Sequence, residues 1–321
     1  MKTLKLRNSL SAVTIALMSL ISFTACQKDA NDGTGGGGTA STSIKVTDAP
    51  IDDASVTGAF VTIADIQLDG KSVQGFTKTT VDLNAYRNGT TKAIGTFNLE
   101  GKTYSSITFV LDYDMDANGA SPGSYVVTTG GVKHKLESTG SSITISKSLT
   151  LSAGASNSLV ADFDLRKMII HQSGTGGDNY DFATAAELQS SVRVVAESNS
   201  STISGKLNNS VAGTGKVIAY VYKKGTFNRT TEMQAQGTSG IQFKNAVSSA
   251  EVDVNGNYQL HFLESGDYEV HFANYTDLNA DGKFELSGTL VVTGTILDLL
   301  NLSLSAGITL TVDATATAIL P

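Results

Sequence analysis

The 321-residue chain has no tryptophan, three prolines and a single cysteine. A lone thiol excludes an internal disulfide. Without tryptophan, a sugar-binding surface would have to stack on tyrosine. Positive charge is also scarce, with 23 Lys and Arg against 30 Asp and Glu and a net charge of −7. Phosphate contact needs a basic patch, so an acidic chain with scattered lysines is not a nucleic-acid binder. The four histidines, His134, His171, His261 and His271, have no metal-ligand spacing. No nucleophile elbow is present, and the Gly35–Gly38 run lacks the Lys-Ser/Thr of a phosphate loop. The late apolar stretch Ile296 to Leu304 is interrupted by Asp298, Asn301 and Ser303 and is too short to span a bilayer.

The one cysteine is informative by position. Lys2, Lys5 and Arg7 precede an apolar run from Leu10 to Phe23, then Thr24-Ala25-Cys26. This is the layout of a secretory signal with small residues before the cut. Removing residues 1–25 would take away three positive charges and no negative one, moving the net charge from −7 to about −10. Gln27 to Ser43 is rich in Gly, Thr and Ser and has nothing to bury, so it reads as a flexible tether.

The rest has 32 glycines and segments dominated by Thr, Ser and Val, the composition of short strands joined by glycine and asparagine turns. Phe60 to Leu68 alternates with period two, as does Tyr104 to Asp112, with Ile107, Phe109 and Leu111 on one face. Val46, Val81 to Leu83, Ile143 to Leu151, Leu159 to Leu165 and Val192 to Val195 supply further strands. Thr184 to Gln189 suits a short helix. After the polar stretch Glu197–Ser201 come strands at Ile203–Gly205, Gly215–Tyr222, Gly266–Phe272, Leu290–Val292 and Ile308–Val312. A hairpin is expected from Val252–Val254 and Tyr258–Phe262 about Asn255-Gly256-Asn257. This spacing predicts an all-β protein of two antiparallel β-sandwich domains behind a signal peptide and a Gly-rich tether.

Four resemblances refine this reading. Phe23-Thr24-Ala25-Cys26 resembles the lipid-attachment site of bacterial lipoproteins, which implies cleavage before Cys26 and acylation of its thiol. More than one acyl chain gives stable anchoring. Cys26-Gln27-Lys28-Asp29 is similar to the Lys-acidic signal that sends lipoproteins of Bacteroidota to the outer face of the outer membrane; a plain solvated tether reads equally well, and the periplasmic face stays open. Val46-Thr47-Asp48-Ala49-Pro50, Val81-Asp82-Leu83, Asp162-Phe163-Asp164 and Val192-Arg193-Val194-Val195 occur in the order of domain of unknown function 4382, over about residues 43–197. That family implies a fold and a cell-surface setting, and no activity. Gly256-Asn257-Tyr258, Phe262-Leu263 and Gly266-Asp267-Tyr268 resemble a transthyretin-like or carboxypeptidase-regulatory-like sandwich over about residues 201–275. The expected layout is therefore a lipoprotein signal at 1–25, a lipidated tether at 26–42, a first sandwich at 43–198 and a transthyretin-like one at 199–321.

One loop has the chemistry of a calcium site. In Asp277-Leu278-Asn279-Ala280-Asp281-Gly282, oxygen side chains fall at positions 1, 3 and 5, glycine at 6 and Glu285 at 9. Position 12 is Gly288 instead of the bidentate glutamate of an EF-hand, so an acidic solvated hairpin tip is the competing reading. Asp114, Asp116 and Asn118, before Gly119, give a fainter copy for which a polar turn suffices. Asp48, Asp52 and Asp53 crowd one turn, and Asp162 and Asp164 share a strand face; turn capping and solvated faces are expected there.

The function expected from the sequence is a non-catalytic binding module, lipid-anchored in the cell envelope, for a glycan or protein ligand. Exposed tyrosines such as Tyr86, Tyr222 or Tyr275 would be its stacking platforms. The alternative is a structural or adhesin role through sheet edges, and a hydrolase using paired carboxylates is a third reading. If the Asp277–Glu285 loop binds calcium, millimolar calcium raises the thermal midpoint over that in EDTA, and Asp281→Ala abolishes the rise. An unmoved midpoint would leave the loop a plain turn.

Overall fold

The computed structural model describes residues 38–49, 51, 53, 55–174, 177–211, 215–277, 284–294 and 297–321. The signal segment, Cys26, Asp52 and the loop residues Asn279 and Asp281 lie outside the described residues.

Alternation sets the first sheet. Strand Thr39–Ala49 starts inside the stretch read as tether and turns Ala40, Thr42, Ile44 and Val46 inward, all fully buried. It pairs in parallel with Ser156–Asp164 and antiparallel with Lys92–Glu100, and Val192–Ala196 closes a four-stranded sheet. The second sheet forms around the 13-residue strand Val56–Leu68. That strand pairs with Tyr125–Thr128, Thr79–Asp82, Thr103–Asp112 and Lys71–Ser72 in succession. The Asp69-Gly70 turn has positive φ at both residues (49° and 74°), which suits a two-residue hairpin. The inner faces of the two sheets share one core, where Phe109 meets Phe163 edge-on with ring centroids 5.5 Å apart.

The second half joins nine strands in one hydrogen-bonded set, ordered from Ser248–Glu251 through Lys216–Lys223, Gly266–Thr276, Glu285–Gly294 and Ala314–Leu320 to Ser201–Asn209 and Asn257–Leu263. Strand Lys216–Lys223 is buried on both faces. Val217, Ala219 and Val221 enter one core, and Ile218, Tyr220 and Tyr222 enter another with Phe243 and Tyr275. Tyr258 is buried and its hydroxyl donates to the Val312 carbonyl at 2.5 Å. Gly205 is required opposite, because a Cβ there would collide with the same carbonyl.

The protein is all-β, with two sandwiches whose strands are mostly antiparallel. The expected hairpin about Asn255-Gly256 is corrected. Ser248–Glu251 pairs with Lys216–Lys223, and Asn257–Leu263 pairs with Ser201–Asn209. Residues 252–256 instead form a tight loop in which Asp253 Oδ1 accepts from the backbone of Asn255 and Asn257. The Ala314–Leu320 strand is an addition to the expected set. The polar stretch from Glu197 is tied to the first sheet, where Glu197 is ion-paired to Lys45 at 2.7 Å.

Candidate functional site

The two sandwiches meet along a seam of buried charge. Strand Ser156–Asp164 ends in the helical turn Leu165–Met168, which points Arg166 and Lys167 out of the first sandwich. Arg166 donates to the carbonyls of Gln242 (2.5 Å) and Phe243 (3.3 Å), and its guanidinium lies 5.1 Å from the centre of the Tyr220 ring. Lys167 donates to the Ala246 carbonyl at 2.6 Å. Asp164 is paired with both cations, at 3.1 and 3.3 Å. Two residues back on the same strand, Asp162 holds Arg193 at 2.5 Å, and Arg193 donates to the carbonyls of His261 (2.9 Å) and Phe262. Three cations of the first sandwich thus bind backbone carbonyls of the second.

Parallel pairing sets Asp48 beside these carboxylates, with Thr47 opposite Asp162 and Ala49 opposite Asp164. Asp48 Oδ1 accepts from the Leu165 amide at 3.2 Å. Burial pushes the Asp48 carboxyl well above the ordinary range, and Asp162 and Asp164 push the same way, against the Leu165 amide and Arg87. Asp164 is equally buried, and burial alone would raise it, but Arg166 and Lys167 outweigh that and hold it below the usual range. The expectation that Asp48, Asp162 and Asp164 cap turns or lie on solvated faces is therefore corrected: they are 5, 6 and 7 % exposed and sit at the seam.

A second clamp lies on the short helix Ala185–Ser191. Glu187 accepts from Thr184 at 2.6 Å, from Ser239 Oγ at 2.5 Å, and pairs with Lys244 at 3.4 Å. Burial disfavours its charge, but the Ser239 and Thr184 hydrogen bonds and Lys244 prevail and bring it down to about 2. Lys147 and Glu264 add a peripheral ion pair at 2.7 Å.

Beside the seam opens a cleft of about 200 Å³ with walls from both sandwiches. Asp53, Arg166, His171 and Tyr180 come from the first, and Ser239, Gln242 and Tyr275 from the second. Asp53 Oδ2 accepts from the Tyr180 hydroxyl at 2.8 Å and lies 4.0 Å from His171 Nδ1. Asp53 Oδ1 accepts from Ser55 Oγ at 2.6 Å. The Tyr180 ring packs between His171 and His134, at 4.6 and 5.0 Å between centroids. The adjoining recess of about 420 Å³ shares Ile170 and Ser239 with the cleft. Asp53 is the sole carboxylate among the described residues lining the smaller cleft, whereas glycoside hydrolysis takes two. Ser55 Oγ donates to Asp53 Oδ1 at 2.6 Å and lies 2.9 Å from the Tyr180 hydroxyl.

The residues singled out in the sequence scatter. Asp114 is ion-paired to Lys135 at 2.9 Å, and Asp116 Oδ1 accepts from the amides of Asn118 and Ala120. Asp277 follows strand Gly266–Thr276 and Glu285 opens the next strand, bracketing the part of the loop outside the described residues. Among the described residues no three His, Cys, Asp or Glu side chains gather as metal ligands. Tyr222 and Tyr275 are buried (0 and 2 % exposed), so they are not stacking platforms. The cluster at Asp53, His171 and Tyr180 escaped sequence reasoning because the three lie far apart in the chain. The crowding of Asp48, Asp52 and Asp53 was the only local signal.

Residues 39–183 match the family model described as Domain of unknown function (DUF4382), beginning at 39 instead of 43 and ending at 183 instead of 197. No curated protein matches the chain. Among solved structures, it overlaps a leucine-rich repeat protein from Bacteroides thetaiotaomicron at 12% identity and TM-score 0.21, over 86% of this chain and 26% of that one. It thus spans about a quarter of that protein's length. It also overlaps the minor pilin GBS52 of Streptococcus agalactiae (11%, TM-score 0.21, 87% and 97% covered) and the major pilin BcpA of Bacillus cereus (11%, TM-score 0.21, 87% and 71% covered). At these TM-scores the overlaps carry no functional inference.

Two outcomes follow from the seam. Asp164→Asn leaves Arg166 and Lys167 buried without their counter-charge and should cost about 3–5 kcal/mol in urea unfolding at pH 7; a loss below about 1 kcal/mol would mean the pair is screened by solvent. Glu187 is depressed from 4.5 to about 2, so its contribution is complete above pH 4.5 and lost as pH falls toward 2. The stability advantage of the wild type over Glu187→Gln should shrink across that window, and an advantage constant from pH 6 to 2 would rule this out.

Proposed function

We propose that the protein is a non-catalytic binding module, anchored in the cell envelope through lipid on Cys26 and displayed on the outer-membrane surface, that takes the end residue of a glycan into the cleft between its sandwiches. The observation that carries this reading is the convergence of Asp53, His171, Ser239 and Gln242 on one small cleft from both sandwiches. A preformed recess at a domain interface with a few converging polar groups is the usual form of a small-ligand site. The cleft is smaller than the ~300–1,000 Å³ of drug-sized sites, which favours a single ring over a chain. Hydrogen-bonding side chains outnumber apolar ones in its wall, which favours a hydroxyl-rich group over a lipid or an aromatic. Recognition would proceed through carboxylate, imidazole and amide groups, since Tyr222 and Tyr275 are buried and Tyr180 has its ring faces against histidines.

The test is a screen of the full chain against immobilised glycans, followed by calorimetry on each hit. Gln242→Ala and His171→Ala should each weaken binding at least about tenfold, equivalent to ~1.4 kcal/mol for a lost directional contact. Retained near-ultraviolet dichroism would show that the fold persists. Absence of any hit, or hits indifferent to both substitutions, would refute the cleft as the site.

A further inference from the structure

The seam contains a second, smaller space that the cleft reading does not use. It is a cavity of about 20 Å³, walled by Asp48, Asn88 and Asp162 of the first sandwich and Ser249, Gln259 and His261 of the second. That volume admits a single water-sized occupant. Two side-chain oxygens in its wall have no hydrogen-bond partner, Asp48 Oδ2 and Ser249 Oγ, and both residues are only 5 % exposed. Buried polar atoms of this kind call for a partner, because an unsatisfied one costs about 1–3 kcal/mol and a charged one more.

The neighbours do not supply that partner. Asp162 is engaged with Arg193. The ring nitrogens of His261 face Thr202 Oγ1 (3.2 Å) and Gln259 Oε1 (2.9 Å). Asp164 is matched by Arg166 and Lys167, so of the three seam carboxylates Asp48 alone has no ion pair among the described residues. The cavity wall is thus rich in oxygen, includes a carboxyl with no ion pair among the described residues and has space for one small species. Carboxylate, hydroxyl and amide oxygens are the ligands that hard cations take.

We propose that this cavity binds one small hard cation, bridging Asp48 of the first sandwich and Ser249 of the second, and that the ion strengthens the seam. Sodium and calcium share the required chemistry, and the experiment separates them. The full chain carrying Asp281→Ala, which silences the other candidate loop, is melted in choline chloride with EDTA, in sodium chloride, and in calcium chloride with choline, all at matched ionic strength. At tenfold excess over the dissociation constant, the binding cation should raise the midpoint by about 3 °C. Equilibrium dialysis should recover one ion per chain. Asp48→Asn and the milder Ser249→Ala should each remove the rise, and the serine variant keeps the test valid if the asparagine variant does not fold. Equal midpoints in all three salts would mean that only water fills the cavity, and would overturn the proposal. So would a rise that survives both substitutions, which would put the ion elsewhere. Because the readout needs no glycan, the cleft reading can fail while this one stands.

Discussion

The structure depends on how charge is buried between its two sandwiches. Moving a carboxylate or an ammonium group out of water costs several kcal/mol even after relaxation, and attraction between the partners repays it only when every remaining donor and acceptor is also satisfied. Here each cation is held from two sides, and the compensation is incomplete only at buried atoms such as Arg193 Nε and Asp164 Oδ1, which have no hydrogen-bond partner among the described residues. Each meets a carboxylate of its own sandwich and then the backbone carbonyls of the other. Arg166 reaches Gln242 and Phe243, Lys167 reaches Ala246, and Arg193 reaches His261 and Phe262. A carbonyl has a fixed place in its chain, so these bonds specify one docking geometry, whereas contact between two apolar faces could slide. The residues from Gly37 onward accordingly form one compact unit.

The second sandwich is shaped to receive those cations. Its Lys216–Lys223 strand buries alternate residues on opposite faces, and the outer set, Ile218, Tyr220 and Tyr222, is large and partly polar. The 224–247 excursion covers that face with Phe227, Met233 and Phe243, and Phe243 stacks on Tyr220 at 4.2 Å. The same excursion presents the Gln242, Phe243 and Ala246 carbonyls. Tyrosine is a suitable lining because each hydroxyl finds a partner, Tyr222 on Glu232 at 2.8 Å and Tyr220 with Tyr275 at 2.6 Å. One loop therefore completes a core, positions the seam acceptors and forms a cleft wall.

What was legible in the sequence follows from range. Period-two alternation placed Val56–Leu68 and Thr103–Asp112 to within a few residues, and the apolar run from Leu159 placed Ser156–Asp164, whose last six residues are buried on both faces. Lys92–Glu100 and Ala314–Leu320 went unseen; glycine and alanine leave the alternation too weak to read. The expected hairpin failed because an Asn-Gly turn fixes a local bend, while the partner of each flanking strand is chosen by the whole sheet. Asp162 and Asp164 were visible as a same-face pair. Their burial was not, since it depends on Arg166 and Lys167 just after them finding acceptors about eighty residues later. Tyr222 and Tyr275 misled for a related reason: a strand that reads as half-exposed is buried on both faces once a distant loop folds over it.

The cleft inherits its geometry from the seam. Arg166 lines the cleft and also crosses the seam, so the position of a wall is tied to the ion pair with Asp164. Ser239 likewise lines the cleft while donating to Glu187. A ligand entering there meets groups whose rotamers are already fixed by bonds on their far side, and it loses little entropy in ordering them. The same coupling fixes the groups of the wall before anything enters: the Asp53 carboxylate is held by Ser55 and Tyr180, and the Arg166 guanidinium by Asp164 and two carbonyls, so neither can turn without giving up a bond that the seam or the first sandwich depends on.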